Sequence, residues 1–295
     1  MFRRVLVGVD GYLGGHDAVA LAKKLTVGGG EVVLAHVSPR RGDPLHGDFV
    51  DRETAQYVHA RDVLEAAREQ AGIQAELRWT DSTSPGRGLH ELAEMLRSDL
   101  LVVGSCRRGL FGRAMVGNDT RAALDGAPCA VAIAPAGYAE EPATILKIGV
   151  GYDASAESKR ALEVARTLAG ELHAAVAALE VVSFPAYLFH GPAAGDETSI
   201  KQLISDARDR VASIGDVEPH AAYGQAAEEL ARWGDAVDLL VVGSRGYGPI
   251  GRLVHGSTSH ALANTAHCPL LVLTRSTAST PTPGGARDDR ALVAN

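Results

Sequence analysis

The sequence predicts an α/β protein: two tandem, doubly wound domains, each built on a five-stranded parallel sheet of Rossmann-like type. Three observations lead there. Short apolar runs rich in β-branched residues alternate with longer helical patterns, which is how strand–helix–strand units with helices on both sheet faces read. Residues 99–129 align with 238–268 without a gap, and 14 of the 31 positions are identical, DLLVVGS among them. Upstream, RRVLVGVDG at Arg3–Gly11 matches LKIGVGYDA at Leu146–Ala154, which sets Asp10 opposite Asp153. Such long self-similarity marks a duplication of one domain-sized unit.

In the first unit, strands are expected near Val5–Val9, Val32–Val37, Gln74–Trp79, Leu100–Gly104 and Ala130–Ala134. Between them, helices are expected near His16–Lys24, Arg52–Gln70, Gly88–Arg97 and Asn118–Asp125. The second unit repeats the order, with strands near Ile148–Tyr152, Ala175–Val182, Val217–Ala222, Leu239–Gly243 and Pro269–Leu273. Its helices are expected near Glu157–Ala169, Asp196–Ser213, Gln225–Gly234 and Ser257–Thr265. The strand runs are short and almost wholly apolar, as strands covered on both faces must be. The expected domains are 1–140 and 144–276, joined by a linker over Gly137–Thr144 that is rich in Ala, Glu and Pro. Residues 277–295 have the Ser/Thr/Pro/Gly composition of a disordered tail.

The stretch that carries chemistry is Leu239–Ser259, LLVVGSRGYGPIGRLVHGSTS. An apolar strand gives way to Gly243, Gly246, Gly248, Gly251 and Gly256, then to the hydroxyl triplet Ser257-Thr258-Ser259 at the start of a helix. Glycines allow close backbone approach, and the N–H groups and dipole of a helix N-terminus favour an anion. No G-x4-G-K-[ST] occurs in the chain, which excludes a Walker A loop. The literal GxGxxG at Gly246–Gly251 does not open a helix directly, and the following strand runs into Thr274-Arg275 rather than an acid. A dinucleotide-dependent dehydrogenase is therefore excluded on motif context.

The residues spell Gly243-x2-Gly246-x9-Gly256-Ser257, which resembles the ATP-binding signature of the universal stress protein family, G-2x-G-9x-G-[S/T], at every position. The resemblance covers nearly the whole chain up to about Thr274. It implies two adenine-nucleotide-binding domains of the HUP type, docked through their last strands, with ATP, alone or with Mg²⁺, as ligand. Carried over from the family, Asp153 would sit beside adenosine, with Gly151, Tyr152 and Ala154 shaping that wall and Val181 packing against adenine. Gly243 and Gly246 would admit backbone amides to ribose and phosphate, while Gly256, Ser257 and Thr258 would hold the phosphate tail. Arg245 and Arg252 lie in the same loop and can neutralise phosphate charge with forked hydrogen bonds. Plainer readings stand beside these: Asp153 as a helix-capping acid with Ser155 the better cap, the arginines as solvated charges, and Val181 as core.

The first unit departs from the pattern. Its loop, Gly104–Asn118, keeps the register but has Arg107 in place of Gly246 and Asn118 in place of Ser257. A side chain at the second glycine crowds a close backbone approach. Asp10, Val37, Gly104, Gly117 and Asn118 thus outline a weaker second site, read as lapsed and kept for docking in preference to one rebuilt for another anion. The strand-1 exit, Asp10-Gly11-Tyr12-Leu13-Gly14-Gly15, reads as loose and glycine-rich.

Composition removes other function classes. A net charge of −7 argues against nucleic acid as the main partner. No run approaches the ~20 apolar residues needed to span a bilayer, and Met1-Phe2-Arg3-Arg4 leads straight into a strand pattern, so a cytoplasmic chain is expected. Cys106, Cys129 and Cys268 form no CxxC; the last two read as small hydrophobes, and only Cys106, flanked by arginines, has a case for a lowered pKa. The histidines form no metal spacing, and His255 and His260 are a wrong step for one helix face. Three functions stay open. They are a regulator that binds ATP and acts through a protein partner or a homodimer, a slow ATP hydrolase or phosphotransfer enzyme, and an assembly module that binds no nucleotide.

Overall fold

The computed structural model describes residues 2–26, 28–39, 49–105, 118–140, 144–183, 197–243 and 257–273. The first unit runs β1 (Arg4–Gly8), α1 (Leu13–Leu25), β2 (Glu31–Pro39), α2 (Phe49–Ala71), β3 (Glu76–Ser82), α3 (Pro85–Leu96), β4 (Leu100–Gly104), α4 (Asn118–Leu124) and β5 (Ala130–Ala134). The second repeats it as β6 (Lys147–Tyr152), α5 (Ala156–Leu172), β7 (Ala175–Val182), α6 (Glu197–Ala212), β8 (Glu218–Tyr223), α7 (Ala226–Trp233), β9 (Leu239–Gly243), α8 (Ser257–Thr265) and β10 (Leu270–Leu273). Every expected strand and helix is present, and differences lie at element ends. Helix α3 starts at Pro85 rather than Gly88 because Ser84 caps it, accepting from the Arg87 N–H at 3.4 Å, with proline at the first helical position. Helix α1 starts at Leu13 and takes in both Gly14 and Gly15.

The two five-stranded sheets are continuous. Strand order is β3-β2-β1-β4-β5-β10-β9-β6-β7-β8, parallel within each half, and antiparallel only where β5 meets β10. Docking through the last strands, implied by the resemblance, is thus what the backbone does. At that seam Ala132 lies opposite Leu271, its own counterpart in the duplication. On the flanking helices, Arg121 Nε donates to His260 Nε2 at 3.1 Å, and these too are counterparts. A pseudo-two-fold axis therefore runs through both pairs, perpendicular to the sheet.

Because such an axis keeps each sheet face on its own side, the molecule has two shared cores. On one face α1, α2, α5 and α6 pack through Leu21, Leu25, Leu64, Leu168 and Val211 onto Val5, Leu34, Ile148 and Leu239. On the other α3, α4, α7 and α8 pack through Leu92, Leu124, Leu230 and Leu262 onto Leu6, Leu101, Leu240 and Val272. Each fully buried leucine or isoleucine contributes roughly 1.5–3 kcal/mol.

Polar clamps fix the ends. Asp99 accepts from the Arg3 and Arg4 amides at 2.8 and 3.1 Å, and Asp238 accepts from Leu146 and Lys147 at 2.9 and 2.8 Å. The aspartate of each DLLVVGS thus pins the start of its neighbouring first strand. The linker is held differently: the buried Asp17 on α1 accepts from the Gly137 and Ala139 amides at 3.0 and 2.8 Å. Its counterpart on α5 is the exposed Arg160, so this clasp belongs to the first unit alone.

Candidate functional site

Strand order reverses between β6 and β9, the place where open α/β sheets bind ligands beyond their strand ends. The β6–β9 register pairs Val150 with Val241 and, carried forward two residues, sets Tyr152 across from Gly243. On the other side, Tyr152 pairs with Glu180, one residue before Val181, and Gly243 pairs with Leu273. The structure therefore brings Gly151, Tyr152, Asp153, Ala154, Val181 and Gly243 to one end of the sheet. Ser257 opens α8, and Thr258 is half-buried in its first turn. Arg245, Gly246, Arg252 and Gly256 lie outside the described residues, as do Gly117 and Cys106 of the first unit.

The turn leaving β6 is set by hydroxyls and a carboxylate. Asp153 Oδ1 accepts from the Ser155 N–H at 3.1 Å, and the Asp153 N–H donates to Ser158 Oγ at 3.3 Å. Ser155 caps α5, accepting from the Ser158 N–H at 3.1 Å, so Ser155 is the cap and Asp153 instead shapes the turn before it. Between them Ala154 has φ 62°, the left-handed region that costs a residue with a Cβ roughly 1–2 kcal/mol. Asp153 and Ala154 are exposed at the mouth, while Val181 is half-buried against the core that contains Leu230 and Leu262.

Two of the glycines have packing reasons of their own. A Cβ on Gly243 would stand 2.7 Å from the backbone of Glu157, so the strand end is pressed against the first turn of α5. A Cβ on Gly151 would meet Leu230 and Val242 at 3.2 Å.

The corresponding end of the first unit collects Asp10, Val37 and Gly104, with Asn118 opening α4. Asp10 Oδ1 accepts from the Tyr12 N–H at 2.9 Å, and Gly11 has φ 80°. The exit expected to be loose is therefore the same tight turn as in the second unit. Its glycines are there for contact: a Cβ on Gly104 would lie 2.0 Å from the Gly14 carbonyl oxygen. Thr120 on α4 donates to the Gly104 carbonyl at 2.8 Å, tying helix to strand end.

One pair of positions escapes sequence reading altogether. By strand register, His36 and Glu180 are counterparts. His36 is buried, its Nδ1 lies 2.8 Å from the Val9 carbonyl, and its ring meets His59 of α2 edge-on at 5.8 Å. Burial, reinforced by the neighbouring His59, pushes its pKa below the usual 6.5 against the opposing pull of the Val9 bond. Glu180 instead takes the guanidinium of Arg210 on α6 through Nε at 3.2 Å and Nη2 at 2.6 Å. Cys129 and Cys268 are buried free thiols, and burial pushes both pKa values up to about 12, which fits the small-hydrophobe reading. Among the described residues no cluster of three metal-ligating side chains occurs, and no helix is long and apolar enough to cross a membrane.

Comparison with known proteins decides the family. The model of the universal stress protein family matches residues 1–135 and again 144–274. The chain belongs to the universal stress protein family. A universal stress protein of Mycobacterium tuberculosis is 26% identical over 294 residues, covering 92% of this chain and 97% of its own. The crystal structure of a universal stress protein from Archaeoglobus fulgidus superposes with a TM-score of 0.66 at 18% identity, covering 92% of this chain and 98% of that one. A smaller family member from Arabidopsis thaliana, solved with AMP bound, covers 48% of this chain and 96% of its own, with 18% identity and a TM-score of 0.34.

Proposed function

We propose that units 1–140 and 144–276 divide their labour. The second binds ATP, or another adenine nucleotide with or without Mg²⁺, and the first keeps at most a weakened site. The observation that carries this reading is the convergence at the β6–β9 reversal. There the Asp153 turn and the half-buried Val181 stand at the same end of the sheet as the end of β9, from which the chain runs on to Ser257 and α8. In this reading Asp153, with Gly151, Tyr152 and Ala154, flanks adenosine and Val181 lies against adenine. Gly243 and Gly246 make room for ribose and phosphate. Gly256, Ser257 and Thr258 hold the phosphate tail, with Arg245 and Arg252 supplying countercharge. Chemically the set suits a bound polyanion rather than a reacting one, and this universal stress protein acts in the cytoplasm as a ligand-dependent stress-response regulator, not as an enzyme. Nucleotide binding shifts the balance between two states of the protein, and only differential affinity for those states can do so. A partner protein or a second copy reads the change.

Titration of the full chain with ATP by calorimetry tests the site, together with mass spectrometry of any small molecule released on gentle denaturation. Gly246→Arg, which imitates Arg107 of the first unit, is expected to weaken binding by at least about tenfold with the melting temperature unchanged. Equal affinity in that variant refutes the assignment, and steady phosphate release would turn the regulator into a hydrolase.

A further inference from the structure

We infer that the first unit carries a separate site for a small organic anion with an apolar body, on its helical face between α1, the C-terminal end of α2 and the linker turn. A cavity of about 320 Å³ lies there, within the size range of small-molecule pockets. Its floor is apolar, formed by Val19 and Ala20 of α1 and Ala67 of α2, and Ala139 of the clasped linker closes one side. The polar residues that line it are His16, Lys23, Lys24 and Gln70; in a chain of net charge −7, no acidic side chain is among the described residues that line this cavity.

The two lysines differ in what they do. Lys23 Nζ donates to the Ala71 carbonyl at 2.7 Å, capping the last turn of α2. Lys24 is half-buried and has no carboxylate partner among the described residues. A cation beside apolar surface without a counterion is a place where an anion is favoured.

The second unit shows which of these features folding requires. Its counterpart of Lys23, Arg166, donates to the Gly215 carbonyl after α6, so the cap is kept. Lys24 becomes Thr167, whose hydroxyl turns back to the Glu163 carbonyl at 2.9 Å, and Ala20 becomes Glu163 itself, a carboxylate where the cavity floor would be. The linker turn and the Asp17 clasp are also confined to the first unit. Among the described residues, the cation without a carboxylate partner, the small floor and the linker wall thus occur together in the first unit and not at the counterpart positions of the second. Ammonium and imidazole groups match a carboxylate or sulfonate, and the alanine floor matches a short hydrocarbon; inorganic phosphate would leave the floor uncovered.

The test is calorimetric titration of the full chain with octanoate, alongside 1-octanol and inorganic phosphate. Octanoate is expected to bind saturably at one per chain, with octanol and phosphate weaker by about tenfold or more. Lys24→Gln, at a half-exposed position, should weaken octanoate by about tenfold, and Ala20→Glu, which copies the second unit, should abolish it, with ATP affinity unchanged in both. Octanoate binding that is absent, matched by octanol, unaffected in Lys24→Gln, or displaced by ATP overturns the proposal; Lys24→Gln decides the matter if Ala20→Glu does not fold.

Discussion

At the exit of β1, Asp10 turns the chain through Gly11, whose φ of 80° is natural to a residue without a Cβ. At the exit of β6, Asp153 makes the same turn through Ala154, held at φ 62° against its preference. The strain stands in the unit whose loop keeps every position of the nucleotide signature, and the relaxed version stands in the unit that has lost two of them. Backbone strain collects where a geometry is over-determined by its surroundings, here by the serine cap at Ser155 and the Ser158 hydroxyl. The duplication therefore conserved a shape while changing what holds it.

The comparison can be broken at three places. The largest effect is expected at the strand ends, where contact is closest. Gly104→Ala should cost about 3 kcal/mol or more, because its Cβ would collide with the Gly14 carbonyl, which belongs to helix backbone that cannot yield. Gly243→Ala, with a 2.7 Å approach to Glu157, should cost about 1–3 kcal/mol, and urea unfolding midpoints would rank the two. The reverse order would mean that the units do not share this packing.

Next come the turns. Gly11→Ala should destabilise by about 1 kcal/mol, since its Cβ is both strained and 3.1 Å from Val63. Ala154→Gly should stabilise by about 0.5 kcal/mol, strain relief being partly offset by glycine's greater freedom in the unfolded chain. Thermal melting of the two variants checks the opposite signs.

The smallest effect concerns pH. Burial holds His36 neutral, with its folded pKa below the usual 6.5, so between those values the unfolded chain binds a proton that the folded chain does not. Stability should rise with pH up to about 6.5 and fall as pH drops below it, and His36→Gln should flatten part of that slope. The sign depends on burial outweighing the Val9 hydrogen bond; a slope that steepens in the variant reverses the assignment. The counterpart Glu180, paired with Arg210, gives the second unit no such histidine titration.

Much of this was legible in the residues. Alternation of apolar runs and helical patterns located the ten strands and eight α-helices found among the described residues, because a doubly covered parallel sheet leaves its strands no polar face to hide. Asp153, Val181 and Gly243 could be placed together for the same reason: strand ends in a known order converge. What escaped was non-local. That Asp99 and Asp238 clamp the strands beside them depends on partners more than 90 positions away. Asp17 clasps a linker 120 residues on, and His36 becomes a buried base only when α2 lies over β2. Ser84-Pro85 was a local signal of a helix start that the expected start near Gly88 did not use, and the reason for Gly86 is again non-local, since close contact with Ala122 leaves no room there for a larger residue.

The antiparallel seam between β5 and β10 has one more outcome. It points the carboxyl ends of the two halves away from each other, so whatever occupies the second unit's cleft cannot touch anything at the first. Any coupling between the two ends crosses the β5–β10 seam or the helices beside it, where the Ala132–Leu271 contact and the Arg121–His260 bridge are two of the crossings. Both crossings lie on the axis itself, where each residue faces its own twin and a change on one side is felt at the same position on the other.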